Sequence, residues 1–170
     1  MEDLSFLERG TPGELLKMKM GNVLITMVYP GVISFFEKGF GVKGAMQYLR
    51  IIGDNIAKDF FKVFVAKEDK LEKIIKEVFK VAWGKVDVKK EGENYYRIID
   101  DSCGLCMDYE LQFDTKEHIQ YCGPIGGFLE TYLNLLAEKR ELEYKKVEVT
   151  TVFSRGSGAS NCEHRLRILE

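Results

Sequence analysis

The four cysteines are the residues of this chain best suited to chemistry, because thiolates are strong ligands of soft metal ions. Cys103 and Cys106 are two residues apart, a spacing that lets both thiolates turn toward one ion. Cys122 precedes a predicted helix, and Cys162 begins the last predicted strand. Together these four sulfurs predict a tetrahedral zinc site that joins a central loop, a helix start and the terminal strand.

Three other interpretations of these residues stay open. His118 or His164 could replace one cysteine, since imidazole also binds zinc. The four thiols could be separate, with some buried as small apolar side chains. Cys103 and Cys106 could form a redox dithiol, although that motif normally begins a helix and the residues after Cys106 are predicted to be extended.

The helices that would position the cysteines are predicted from the spacing of apolar residues. Residues 31–38 form a short helix in this interpretation, followed by a glycine-containing turn. Residues 44–64 form an amphipathic helix, and Gly53 inside it indicates close contact with another backbone. Residues 71–83 form a second amphipathic helix, with Asp69 as its candidate cap.

The second half of the chain alternates apolar and polar residues in the manner of strands. Residues 86–99 predict a hairpin, and a third helix follows Pro124. Residues 142–153 predict a long strand, in which a bulge near Lys145-Lys146 would keep one face apolar, and residues 162–169 predict the final strand. The predicted fold class is α+β, with helices packed against an antiparallel sheet.

The composition is that of one globular domain spanning residues 1–170. Of its 170 residues, 45% are hydrophobic and 31% charged, which is too apolar for disorder. The 25 basic and 27 acidic residues are interleaved and give a net charge of -2, which argues against nucleic acid as the main partner. Apolar runs fall far short of the roughly 20 residues that cross a bilayer, so we expect no membrane span.

The N-terminal residues and the lysine content suggest a compartment and a source. Met1-Glu2-Asp3-Leu4 lacks the basic-then-apolar order of a secretion signal, which predicts a reducing cytoplasm in which disulfides are rare. Lysine outnumbers arginine 18 to 7 and there are three glutamines, a composition that favours a thermophilic source.

Aromatic side chains could line a pocket for an apolar or aromatic small molecule, although core packing is their default role. The candidate pocket residues are Phe36, Tyr48, Phe60, Trp83, Phe128 and Tyr132. No Ser/His/Asp set is identifiable, so the catalytic residues, if there are any, stay unknown.

Two segments resemble the 4-vinyl reductase domain family, whose small-molecule-binding α+β domains are similar in fold to the TRAPP vesicle-transport subunits. One is the helix of residues 45–53, which reaches a glycine and continues past it. The other is residues 122–130, followed by a strand, a glycine turn and Cys162. The resemblance runs from about Val23 to the end of the chain. It implies a sensor-type domain for an apolar or aromatic ligand, with a pocket between helices and sheet, and a homodimer.

The same resemblance implies a metal. Family members of the phenol-sensing type are zinc proteins, and their ligands include cysteines that match Cys122 and Cys162. The family's Glu-x-x-Cys falls on Thr151 and Ser154, neither of which is a credible zinc ligand. We therefore expect zinc to be retained with a rearranged ligand set that includes the Cys-x-x-Cys pair.

Two other functions fit the resemblance. A metal that keeps an open position for water would make the chain a metal-dependent enzyme or a reductase component. Alternatively, the domain could be an interaction module like the transport subunits, binding a partner or an acyl chain.

Overall fold

The computed structural model of the chain describes residues 11, 20–21, 24–106 and 119–169, and the predicted α+β fold is confirmed. Within these residues no helix is apolar over the length needed to cross a bilayer. The elements in chain order are a π-helical turn Leu24–Val28, α1 Tyr29–Val63, α2 Leu71–Ala82, β1 Asp87–Lys90, β2 Tyr95–Asp100, a 3-10 turn Gly104–Cys106, α3 Gly123–Lys139, β3 Lys146–Phe153, a 3-10 turn Arg155–Ser157, and β4 Cys162–Leu169.

The four strands form one sheet in the order β1-β2-β4-β3, and every neighbouring pair is antiparallel. Because side chains alternate along a strand, Cys162, His164 and Leu166 share the inner face of β4. All three are fully buried. The central position of β4 therefore places Cys162 in the interior, beside the end of β2.

Helix α1 is longer than either helix predicted within its span. Its 35 residues include the predicted segment 31–38 and all of the predicted segment 44–64 except its last residue, Phe64, which is the C-cap. The predicted turn between them is a kink, at which Gly41 has φ 70° and ψ 175°. Positive φ favours glycine, so the break falls at the one residue type that tolerates it without strain.

Two local predictions are wrong. Asp69 does not cap α2, whose N-cap residue is the next one and makes no side-chain cap bond. Instead, the N–H of the first helical residue donates to Glu143 Oε1, 2.9 Å away. The bulge is also not near Lys145-Lys146, because β3 begins at Lys146 and its register shift lies between Thr151 and Phe153.

Helices α1 and α3 cross with their backbones in contact. A Cβ atom added to Gly53 would lie 1.9 Å from Pro124 O, and one added to Gly127 would lie 2.4 Å from Arg50 O. The predicted close contact at Gly53 is thus confirmed. Residues Gly123–Leu129 of α3 are buried on every side, between α1 and the sheet.

The free edge of β3 is hydrogen-bonded by side chains rather than by another strand. Asn134 Oδ1 accepts from Val147 N at 2.8 Å, and Asn134 Nδ2 donates to Val147 O at 3.1 Å. Glu130 Oε2 accepts from Val149 N at 2.7 Å, and Arg50 Nη1 donates to Val149 O at 2.7 Å. Arg50 and Glu130 are also ion-paired. The edge is therefore closed to pairing at these two residues.

We predict that Gly53→Ala lowers the free energy of unfolding by about 3 kcal/mol, because the new methyl group meets backbone atoms that cannot move independently. Denaturant titration measures the change. Gly39→Ala is the matched control, since nothing lies within 4 Å of a Cβ at this helical glycine. The control should raise stability by up to about 1 kcal/mol. Equal effects of the two substitutions would contradict the close crossing.

We predict that Asn134→Ala lowers the free energy of unfolding by about 1–3 kcal/mol, because Val147 loses a partner for its N–H and for its carbonyl. It should also raise amide exchange at Val147, as measured by hydrogen-deuterium exchange. Asn55→Ala, at an exposed position of α1, controls for the change in helix propensity. A loss no larger than that of the control would show that the edge bonds are dispensable.

Candidate metal centre

The structure brings all four cysteines of the chain together. The sulfur atoms of Cys103, Cys106, Cys122 and Cys162 all lie within 4.8 Å of one another. The residues are buried, with exposed fractions of 1%, 2%, 0% and 0% in that order. Four buried cysteines this close together can hold a metal ion, and in the part of the chain that the structure describes no histidine or carboxylate joins the group.

The loop after β2 supplies two of the sulfurs. Asp100 Oδ1 accepts the Ser102 N–H at 2.9 Å, which turns the chain at the strand end. Cys106 N then donates to Cys103 O at 3.0 Å, closing a tight turn. This turn directs both thiols to the same side of the loop, as the two-residue gap allows.

The other two sulfurs come from the start of α3 and the start of β4. Cys122 is the residue before α3, so its sulfur lies at the N-terminus of this helix. Cys162 lies opposite Asp100 in the β2–β4 register. Strand pairing thus holds Cys162 next to the point where the loop with the other two cysteines leaves the sheet.

Residues 153–155, at the end of β3, contact three of the four sulfurs. Ser154 Oγ lies 3.1 Å from Cys106 Sγ, and Arg155 N donates to Cys162 Sγ at 3.4 Å. Cys122 Sγ donates to Phe153 O at 3.6 Å. The sequence analysis excluded Ser154 as a zinc ligand and did not predict these contacts. The available signal was the Gly/Ser-rich turn directly before Cys162.

Crowding separates the pKa values of the thiols. Hydrogen bonds from the thiols of Cys103, Cys122 and Cys162 lower the pKa of Cys106. Hydrogen bonds of Cys122 to the sulfurs of Cys103, Cys106 and Cys162, together with burial and the charge on Cys106, raise the pKa of Cys122. One thiolate is therefore favoured, and further ionisation is opposed until a cation neutralises the accumulating negative charge.

The spacing of the sulfurs fits a single tetrahedral ion. In a tetrahedral site with zinc–sulfur distances of about 2.3 Å, the sulfurs lie about 3.8 Å apart. The four sulfurs here lie within 4.8 Å of one another, so small side-chain movements would bring them to that spacing. A polynuclear cluster would push the sulfurs further apart, because its own metal and sulfide atoms lie between them. The soft donor set and the spacing therefore match one thiophilic metal ion.

His164 and Thr151 lie outside this group. His118 lies outside the described residues. His164 Nδ1 is 3.0 Å from Thr151 Oγ1, and its Nε2 has no hydrogen-bond partner among the described residues. Burial lowers the pKa of His164 to about 4, so its ring is neutral at pH 7. Thr151, which is half-buried, and the buried His164 pack against α3 at Gly126.

The six candidate pocket residues fall into two groups. Phe36 and Tyr48 stack on α1 with ring centroids 4.9 Å apart, and Tyr48 is 38% exposed. Phe60, Trp83 and Tyr132 surround Phe128, with ring centroids 5.4, 4.6 and 5.7 Å from its own. We call this second group the aromatic cluster. Its rings come from α1, the end of α2 and α3, and its role in binding a ligand stays a prediction.

Comparison with known proteins gives structural matches. The chain is similar to a trafficking protein particle complex subunit 3 from Naegleria fowleri, covalently bound to palmitic acid, at TM-score 0.66 and 20% identity over 89% of this chain and 97% of that one. A vinyl-4-reductase family protein from Methanocaldococcus jannaschii matches at TM-score 0.48 and 20% identity, over 85% of this chain and 82% of that one. No protein-family model and no curated protein matches the sequence. The expected likeness to TRAPP subunits is confirmed at the level of the fold.

Proposed function

We propose that this chain is a zinc-containing, small-molecule-binding domain of the sensor type for an apolar or aromatic ligand. The convergence of four buried cysteine sulfurs within 4.8 Å carries the zinc assignment. The aromatic cluster, together with a fold similar to that of a palmitate-bound protein, supports the ligand class. The two chains are 20% identical, so the palmitic acid of that protein indicates the chemical class of a ligand and not its identity.

The zinc in this proposal is structural. Four thiolate ligands complete a tetrahedron, which leaves no position for water or substrate, whereas catalytic zinc keeps one position open. The ligands join the loop after β2, the start of α3 and the start of β4. Zinc therefore cross-links three segments that are distant in sequence, and its binding free energy becomes folding free energy.

The proposed ligand is held without a covalent bond to cysteine. The chain has four cysteines and all of them belong to the cluster. A thioester to an acyl chain would therefore consume a zinc ligand. Non-covalent contact with aromatic side chains suits an apolar molecule, because it needs burial of apolar surface rather than a nucleophile.

We predict that protein purified without added metal carries about one zinc per chain, as measured by inductively coupled plasma mass spectrometry. Stripping the metal with a strong chelator should lower the melting temperature by at least about 10 °C, since each kcal/mol corresponds to about 2–4 °C for a chain of this size. Less than about 0.2 equivalents of zinc, with all four thiols freely titratable in the folded protein, would remove the zinc claim.

We predict that replacing a single cluster cysteine, for example Cys122→Ser, lowers zinc content and melting temperature together. Ser102→Ala is the matched control, because Ser102 lies in the same loop as Cys103 and supplies no sulfur. The control should keep its zinc. If the cysteine variant melts as the control does after both have been stripped, the stability loss belongs to the metal and not to packing of the thiol.

We predict that palmitic acid or phenol, added to the zinc-loaded protein, changes the fluorescence of Trp83 saturably. Trp83 is the single tryptophan of the chain, and its ring contacts that of Phe128 in the aromatic cluster. Phe60→Ala should alter the binding constant at least about tenfold. Phe35→Ala is the control, since Phe35 is 67% exposed on α1. No saturable response to either compound would contradict the ligand class.

A further inference from the structure

We infer that Ser154 is a positioning residue of the metal centre, whose hydroxyl donates a hydrogen bond to the Cys106 thiolate and thereby tunes the affinity for the metal. The inference rests on the proposed metal function and adds an outer-sphere residue to it. Ser154 is fully buried, and its Oγ lies 3.1 Å from Cys106 Sγ. Among the described residues, this sulfur is the one hydrogen-bond partner of the hydroxyl.

The direction of the hydrogen bond follows from the state of the sulfur. A metal-bound thiolate has no proton to give, so the hydroxyl is the donor and the sulfur is the acceptor. A hydrogen bond to a charged acceptor is roughly twice as strong as one between neutral groups. The hydroxyl therefore withdraws electron density from Cys106 and spreads the negative charge that four thiolates place around one divalent ion.

The turn that carries Ser154 is held by its backbone, which separates the role of the hydroxyl from the folding of the turn. Ser154 O accepts from Ser157 N at 3.0 Å, from Ser157 Oγ at 2.9 Å and from Ala159 N at 3.2 Å. None of these bonds uses Ser154 Oγ. Loss of the hydroxyl thus leaves the turn intact and removes the contact with sulfur.

Arg155 places a second donor on the cluster. Arg155 N lies 3.4 Å from Cys162 Sγ, so consecutive residues contact two different sulfurs. Outer-sphere donors of this kind orient metal ligands, and their removal typically lowers metal affinity about 10–100-fold. Because a backbone N–H cannot be deleted by a simple substitution, Ser154 is the member of this pair that mutation can test.

The test uses Co²⁺ added to metal-stripped full-length protein under anaerobic, reducing conditions. Competition with a chelator gives affinity, and the sulfur-to-cobalt charge-transfer band reports on the thiolates. Ser154→Ala should bind Co²⁺ about 10–100-fold more weakly than wild type. Its charge-transfer band should move to lower energy, since an electron leaves a sulfur that is no longer stabilised by the hydrogen bond. A purely structural role of Ser154 would not shift this band.

Two further variants complete the comparison. Ser157→Ala removes a hydroxyl from the same turn. That hydroxyl contacts Ser154 O and no sulfur, so the variant should retain wild-type affinity and band position. Ser154→Thr keeps the donor, and φ -135° and ψ 132° at this residue suit a β-branched side chain, so it should restore both readouts. If the alanine variant does not fold, the threonine variant still decides, because loss of affinity or a shifted band with the hydroxyl present would overturn the inference.

The outcomes distinguish this inference from the proposed metal centre. If wild-type protein binds no Co²⁺ with thiolate bands, the metal centre itself fails, and the role of Ser154 fails with it. If wild type shows a four-thiolate spectrum while Ser154→Ala matches Ser157→Ala in affinity and band energy, the metal centre stands and the inference about Ser154 is overturned.

Discussion

The metal centre depends on the close crossing of α1 and α3. A side chain at Gly53 would hold the helices apart, because its Cβ would lie 1.9 Å from Pro124 O. Cys122 is two residues before Pro124, so the depth at which α3 approaches α1 decides where this sulfur lies. The same crossing brings Arg50 and Glu130 to the edge of β3, the strand that ends beside the cluster. A contact between two backbones thereby sets the position of Cys122 and of the strand that ends beside the cysteine cluster.

The metal centre and the aromatic cluster occupy different parts of α3. Cys122 precedes the helix, whereas Phe128 and Tyr132 lie six and ten residues further along it, about 9 and 15 Å away at the rise of an α-helix. A metal ion held by the cysteines would therefore lie away from both of these rings. In the proposed function the metal contributes to ligand binding indirectly, because it would fix the start of a helix that carries two of the aromatic rings further along.

Sequence patterns predicted the elements whose cause is local. Periodic apolar residues gave the helices and alternation gave the strands, while Gly53 indicated the helix crossing without identifying its partner. The errors have causes that are distant in sequence. Asp69 was predicted to cap α2, but the first N–H of that helix donates to Glu143, whose approach depends on tertiary packing. Likewise, the two-residue gap predicted that Cys103 and Cys106 face one ion, but Ser154 reaches Cys106 across 48 positions of sequence. The split of the aromatic residues into two groups depends on the kink at Gly41 and on helix packing, which composition does not encode.

The sheet order has a consequence for the chain as it leaves the ribosome. β4 follows β2 and β3 in sequence but lies between them. Until residues 162–169 are synthesised, β2 and β3 each have one edge that β4 will later cover. The hydrogen-bonding groups on these edges are open to association with other nascent chains. When β4 pairs with β2 and β3, it also brings Cys162 next to the other three cysteines. Completion of the sheet and completion of the sulfur cluster are therefore one step in the maturation of this protein.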